Sequence, residues 1–310
     1  MLVTVVAVAT LVGAQVFAPA WAFAHTEPYA IALAVCCAVL AAYAVRASRG
    51  KDGAAGRGLW VCALGALVVA LAGLASGLLG PDTQTLVKAP GSVAVVPSAG
   101  VAAVFPFADA AAIARGDARV VLRRRRGRDV EVAAFPRLVG GAVLAARPRL
   151  AAYVDVFDAR GRHLTITQPT GPAFLSPVLQ FGQTIAIEKQ TLPSDEFSAP
   201  AARRLITAVY ISAHDAGAIG ASRIGDREVV LFSVRDDSGH ALPGGIGVAQ
   251  SGGEARVADL RIRATIGTYP VLVVGSAPLP AALAGGAALV VAGLALAIAR
   301  GNAAVRPDAA

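Results

Sequence analysis

LWVCALGALVVALAGLASGLL, residues Leu59 to Leu79, is the stretch that decides the fold class. It carries no Asp, Glu, Lys or Arg. At 1.5 Å per residue a helix of this length is about 30 Å long, the thickness of a bilayer's hydrocarbon core. Three other runs share its character. Met1–Phe23 and Pro28–Val45 precede it, and Leu279–Ala299 lies near the other end of the chain. The expected architecture is four transmembrane helices, three N-terminal and one C-terminal, flanking one segment outside the bilayer. The expected divisions are 1–80 for the three helices (1–23, 28–45, 59–79), 81–275 for the outer domain, and 276–310 for the fourth helix (279–299) and tail.

Hydrophobic residues make up 56% of the chain and mean hydropathy is +0.63, both raised by the four runs. The segment between them is ordinary in polarity and long enough to bury a core of its own. The net charge of +8 favours anionic headgroups beside a bilayer. No basic helix interleaved with aromatics and no zinc-finger spacing occurs, so nucleic acid is not an expected partner. The 3 cysteines, Cys36, Cys37 and Cys62, all fall inside runs. They read as small apolar helix residues, and the outer segment has no thiol for disulfides or redox work. Neighbours such as Cys36 and Cys37 point about 100° apart on a helix, which suits joint metal ligation poorly.

Orientation follows the distribution of Lys and Arg. The loop after the second run holds Arg46, Arg49, Lys51 and Arg57 against Asp52, whereas Ala24–Glu27 after the first run holds no Lys or Arg. The tail adds Arg300 and Arg306. The expected location is a bacterial inner membrane, with both termini cytoplasmic and the 81–275 domain periplasmic or extracellular. Ala22-Phe23-Ala24 has the small-x-small form of a signal-peptidase site. No basic region precedes it, so a retained first helix is the expectation. Cleavage there would leave His25 as a free N-terminus able to ligate copper.

The outer segment reads as all-β, an antiparallel sandwich or barrel-like domain. Candidate strands are Val93–Val96, Val101–Phe105, Arg119–Leu122, Asp129–Ala133, Ala151–Phe157 and His163–Thr167. Thr184–Glu188, Leu205–Ile211, Glu228–Val234, Ile246–Ala249, Ala255–Ile266 and Val271–Val274 complete the set. They are rich in Val, Ile, Thr and aromatics and alternate repeatedly. Asp158-Ala-Arg-Gly161, Asp236-Asp-Ser-Gly239 and Ser251-Gly-Gly253 read as hairpin turns. Asp109–Ala118 reads as a short helix. Short Pro- and Gly-containing connections, Gly80-Pro81 and Ser276-Ala277-Pro278, suggest a domain held close to the membrane.

Motifs that carry chemistry are scarce. The 4 histidines, His25, His163, His214 and His240, form no HxH or HExxH pattern, and no Gly-x-Ser-x-Gly elbow exists. Gly244-Gly-Ile-Gly247 is not followed by a helix and reads as a turn. An enzyme is therefore not expected, and no small-molecule substrate is evident. Arg123-Arg-Arg-Arg-Gly-Arg128 reads first as a solvated hairpin tip turning at Arg126-Gly127-Arg128. Its sharper reading gives Arg124 and Arg126 contact with lipid headgroups or haem propionates. The proline-rich stretch Thr165–Gln183 reads as an ordered crossover loop. Its rival reading makes Phe174, Leu175 and Phe181 anchors on a membrane or partner. Gln15 and Ser76 are among the few polar residues inside runs, so no proton relay is visible. Gly285-Gly286 and Gly293 offer small faces for packing against the chain's own helices or a partner's.

Leu260-Arg-Ile-Arg-Ala-Thr-Ile-Gly-Thr-Tyr269-Pro-Val-Leu-Val-Val, followed by Pro278, Gly286 and Gly293, resembles the last strands and fourth membrane helix of the ResB-like cytochrome c biogenesis proteins. Pro177–Gln183 is similar to that family's segment before a strand. The three-helix, β-domain, one-helix layout is similar over the whole chain. The resemblance implies a non-enzymatic assembly factor in cytochrome c maturation or haem delivery, working with a multi-spanning membrane protein. Ser276-Ala-Pro-Leu-Pro280 stands where family members often carry Asp-Pro-Gly. No histidine lies within a run, which leaves His25, at the outer boundary, as the residue for haem or a metal. The other reading is an accessory or scaffold subunit whose outer domain binds a periplasmic protein and no cofactor.

Overall fold

The computed structural model describes residues 1–18, 23–49, 54–80, 82–124, 127–168, 174–175, 177–187, 190–218 and 227–304. Its helices are α1 Leu2–Phe17, α2 Glu27–Arg49, α3 Ala54–Leu79, α4 Ala110–Arg115, α5 Ala213–Ala218 and α6 Pro280–Ala304. Segments of α2, α3 and α6 are long and apolar enough to cross a membrane. The chain is a membrane protein by that criterion. The first run behaves differently from expectation. It is helical for 16 residues, about 24 Å, which falls short of a ~30 Å core. Proline at 19 explains the stop, because its ring disfavours helical backbone at the residue before it. Ala18 accordingly sits at φ −124 and ψ 53. A 3-10 turn at Phe23–His25 then leads into α2.

The helices share a buried core that includes Val8, Val12, Leu33, Leu40, Ala63 and Ala70. Antiparallel α3 and α6 meet backbone to backbone on glycines. A Cβ added at Gly58 would lie 2.6 Å from the Ala297 amide nitrogen, and one at Gly65 would lie 2.6 Å from the Gly286 carbonyl oxygen. One at Gly293 would strike the Cys62 amide nitrogen. Small residues let two membrane helices approach this closely. Gly286 and Gly293 of the last helix thus serve the chain's own bundle, whereas a Cβ at Gly285 would meet nothing within 4 Å.

The strands are β1 Gln84–Leu86, β2 Val93–Val96, β3 Val101–Val104, β4 Val120–Arg124, β5 Val130–Val132, β6 Arg137–Val139, β7 Ala142–Asp158, β8 His163–Leu164 and β9 Thr167–Gln168. They continue with β10 Phe174–Leu175, β11 Val178–Leu179, β12 Gln183–Ile187, β13 Gln190–Ala199, β14 Arg204–Ile211, β15 Val229–Asp236, β16 Ala241–Gln250, β17 Gly253–Val257 and β18 Leu260–Ser276. One 7-stranded sheet has the order β1-β18-β7-β11, with β6, β8 and β17 pairing onto its long strands. A second 7-stranded sheet runs β10-β9-β13-β14-β15-β16, with β12 on β13, and a 4-stranded sheet runs β2-β3-β4-β5. The described pairings are antiparallel.

The spine of this region is the pair β7 and β18, 17 residues each and in register from Ala142 opposite Ser276 to Asp158 opposite Leu260. Such a ribbon is about 55 Å long. It serves two hydrophobic cores. Near the helices, Leu144, Leu272 and Val274 pack with Leu122 of the 4-stranded sheet and with Phe105, just past the end of β3. At the far end, Val154, Val156 and Ile262 pack with Phe197, Ile206 and Phe232 of the second 7-stranded sheet. Pro148 stands opposite Pro270 along the near core. Neither ring nitrogen can donate, so the ladder is thinnest there. Ala151 belongs to the near core and its neighbour Ala152 to the far one.

Several boundaries differ from those expected. Ala255–Ile266, read as one strand, is a hairpin of β17 and β18 that turns at Ala258 and Asp259, with Ala258 at φ 51. β18 then runs without a break through Gly267 and Pro270 to Ser276. β13 went unread because its buried positions include the polar Ser194 and Asp195, which hide the alternation. The short helix lies within the expected span, and the Asp109 carboxylate caps it by accepting from the Ala112 amide at 2.7 Å. The turns at Asp158 and Asp236 are built alike. Asp158 Oδ1 accepts from the amides of Arg160 and Arg162, and Asp236 Oδ1 from those of Ser238 and His240.

Candidate functional site

A network of polar side chains lies at the junction of the helices with the β region. Tyr29 on α2 donates its hydroxyl to Gln15 Oε1 on α1 at 2.7 Å. Gln15 Nε2 in turn donates to Ser76 Oγ on α3 at 2.8 Å, and Ser76 donates to the Gly73 carbonyl at 2.9 Å. One buried amide thus staples three helices together. Gly73 and Gly77 make room for it, since a Cβ there would press on Val12 or on the Ala24 carbonyl. Hydrogen bonds of this kind between membrane helices are worth about 1 kcal/mol. Gln15→Leu should therefore lower stability by about that amount, read as a small drop in melting temperature in detergent.

His25 lies next to this network. Its Nε2 is 3.3 Å from Ser276 Oγ, at the last residue of β18. Gly80, at the end of α3, also lies against Ser276. The contact joins the turn between α1 and α2 to the strand that leads into α6. The adjoining cavity, lined by Gln15, Phe23, Ala24 and Ser276, has a volume of only about 10 Å³. Cofactor pockets usually measure ~300 Å³ or more, so this cavity, as the described residues line it, is too small for a haem.

The other expected site residues lie elsewhere. Arg124 is exposed at the end of β4 and lines a separate cavity with Gly100, Leu138 and Gly140. Arg126 lies outside the described residues. His163 sits 3.2 Å from Asp155, and His240 sits 3.5 Å from Asp236 on a different hairpin. Among the described residues, no group of three or more His, Cys, Asp or Glu is placed to hold a metal. Phe181 is buried and lies 5.9 Å from the Tyr210 ring, so it packs within the protein instead of serving as an exposed anchor.

A second polar cluster escaped sequence reasoning. Asp195 on β13 is 6% exposed. Its Oδ2 accepts from the Gln180 amide at 3.0 Å and from Gln168 Nε2 at 3.2 Å, and its Oδ1 accepts from the Glu196 amide at 2.9 Å. Burial raises its pKa above the ordinary carboxylate value, even though the amide donors and Arg149 act in the opposite direction. Arg149 also donates to the Phe181 carbonyl at 3.5 Å, where Phe181 holds φ 47. The cluster pins the stretch around Gln180 to the far core. In sequence, Leu192-Pro-Ser-Asp-Glu196 offers no signal beyond a polar loop.

No family model matches the chain, and no curated protein or solved structure gives a significant match.

Proposed function

We propose that this chain is a non-enzymatic membrane scaffold or assembly factor, whose outer β region engages a protein partner at a fixed height above the bilayer. The supporting observation is the mechanical continuity of β18. It leaves the far core, runs 17 residues to Ser276, and enters α6 at Pro280, with His25 against its end. A strand so anchored suits presentation of a surface better than delivery on a swinging arm. In this reading α1 is part of a fourth crossing. The termini are cytoplasmic, the β region faces the periplasm or exterior, and its two 7-stranded sheets form a sandwich. The order of elements supports a ResB-like role in cytochrome c maturation. The small cavity at His25 favours protein contacts over haem handling.

Site-specific photocrosslinking in intact membranes tests this. Ile246 is 70% exposed on the far sheet. A crosslinker there should capture one discrete protein, and the purified chain should show no Soret absorbance. A stoichiometric Soret band would overturn the cofactor-free reading. A chain that crosslinks to nothing from the far sheet would overturn the scaffold.

A further inference from the structure

An apolar groove of about 450 Å³ runs along the bundle, with α1 and α6 as its walls and α3 as its floor. Val12, Gly13 and Phe17 line one wall, Val291 the other, Val69 the floor, and Leu138 of β6 the end nearest the β region. From Val5 to Phe17 the lined part of α1 covers about 18 Å, close to one leaflet of a ~30 Å core. The Phe17 ring stands 5.8 Å from that of Phe135 at the same end. Aromatic residues gather at this depth, where hydrocarbon meets headgroups.

Leu138 also lines a second cavity, of about 580 Å³, whose cationic group is Arg124. Among the described residues no Asp or Glu lines either space. Among the described residues Arg124 has no ion-pair partner, whereas the nearby Arg123 is paired with Asp129 and Arg119 with Glu131. An apolar slot one leaflet deep therefore adjoins, through Leu138, a cavity lined by a guanidinium with no ion-pair partner among the described residues. Phosphate and guanidinium form charge-assisted, often bidentate hydrogen bonds.

We infer that this groove holds an anionic phospholipid of the leaflet adjoining the β region, with an acyl chain between α1 and α6 and its phosphate at Arg124. The site is independent of which protein the outer region engages. It makes a bound lipid the fourth side of the bundle, filling the slot left where α1 and α6 both pack on α3.

Native mass spectrometry of the full chain released from nanodiscs tests the assignment, using dioleoylphosphatidylglycerol and dioleoylphosphatidylcholine as probes. The unaltered chain should retain one phosphatidylglycerol in preference to phosphatidylcholine. Arg124→Gln should cut that preference about fivefold and leave retained phosphatidylcholine unchanged. Gly13→Leu places a side chain in the groove, and because a Cβ at Gly13 meets nothing within 4 Å the helix packing is spared. It should expel both lipids. Equal retention of the two lipids by the unaltered chain would overturn the headgroup assignment. Unchanged lipid retention by Gly13→Leu would overturn the groove assignment. So would loss of a co-purifying membrane protein with lipid retention unaltered, since a partner helix would then be the occupant.

Discussion

Gly65→Leu is expected to unseat α6 from α3 and to destabilise the helix bundle by about 3 kcal/mol or more. A Cβ at Gly65 would lie 2.6 Å from the Gly286 carbonyl oxygen and 2.7 Å from the Val290 amide nitrogen. Both obstacles are backbone and cannot rotate away, so the helices must separate. Gly293→Leu should act alike, because its Cβ would meet the Cys62 nitrogen and the Gly58 carbonyl. Gly285→Leu is the matched control on the same helix. Nothing lies within 4 Å of its Cβ, and leucine is the better helix former, so no loss should follow. Thermal unfolding of the three variants in one detergent decides the matter. Equal melting temperatures for Gly65→Leu and Gly285→Leu would overturn the assigned contact. The damage should extend beyond the bundle, because α6 is the direct continuation of β18.

The second large effect is expected at Asp195. Asp195→Ala removes the acceptor for the Gln180 and Glu196 amides and for the Gln168 side chain. Each buried donor left unpaired costs about 1–3 kcal/mol, so a total loss of about 3 kcal/mol or more is expected. The stretch around Gln180 should become open to proteolysis before the rest of the β region. Protection there equal to that of the unaltered chain would refute the pinning role.

The same carboxyl has a pH signature. Its folded-state pKa is raised above the ordinary value of 3.8, chiefly by burial. Between 3.8 and the raised value the folded state binds a proton that the unfolded state releases. Its contribution to stability therefore falls as pH rises through that window and is regained on acidification. Asp158 and Asp236 shift the other way, held low by the turn amides at Arg162 and His240. Their contribution is present above the unfolded value and lost as pH falls through the folded one. Asp195→Asn removes the opposing term. Its melting temperature should thus drop more steeply than that of the unaltered chain as pH falls toward the ordinary carboxylate value of 3.8. Parallel profiles would show that Asp195 does not titrate in that range.

Much of the β region was legible because alternation and turn chemistry are local. Strands such as Leu205–Ile211 and Glu228–Val234 announce themselves as short runs rich in Val, Ile, Leu and aromatics. The turns at Asp158 and Asp236 follow from an aspartate three residues before a glycine. β13 was illegible for the opposite reason. Its buried positions include Ser194 and Asp195 beside Leu192 and Phe197, and a polar residue looks buried only once its partners on β9 and the Gln180 stretch are known. The unity of β18 was hidden by Gly267 and Pro270, which ordinarily end a strand. Gly267 is tolerated because α4 presses on it, with the Ile113 carbonyl where a side chain would be.

For the candidate site the division is similar. His25 and Arg124 stood out as residue types at a boundary and in a charge run, but their neighbours did not. Ser276 lies 251 residues from His25 in sequence, and Leu138 meets both Arg124 and α1 only through folding. Sequence alone established the membrane-spanning character of the chain, the β-rich segment between the third helix and the last, and the absence of familiar catalytic motifs. These are matters of composition and local periodicity. Tertiary structure alone decided that Gly286 and Gly293 serve α3, that one strand pair carries two cores, and that Leu138 borders both an apolar groove along α1 and a cavity lined by Arg124. Each of these depends on contacts between residues far apart in the chain, which no local pattern encodes.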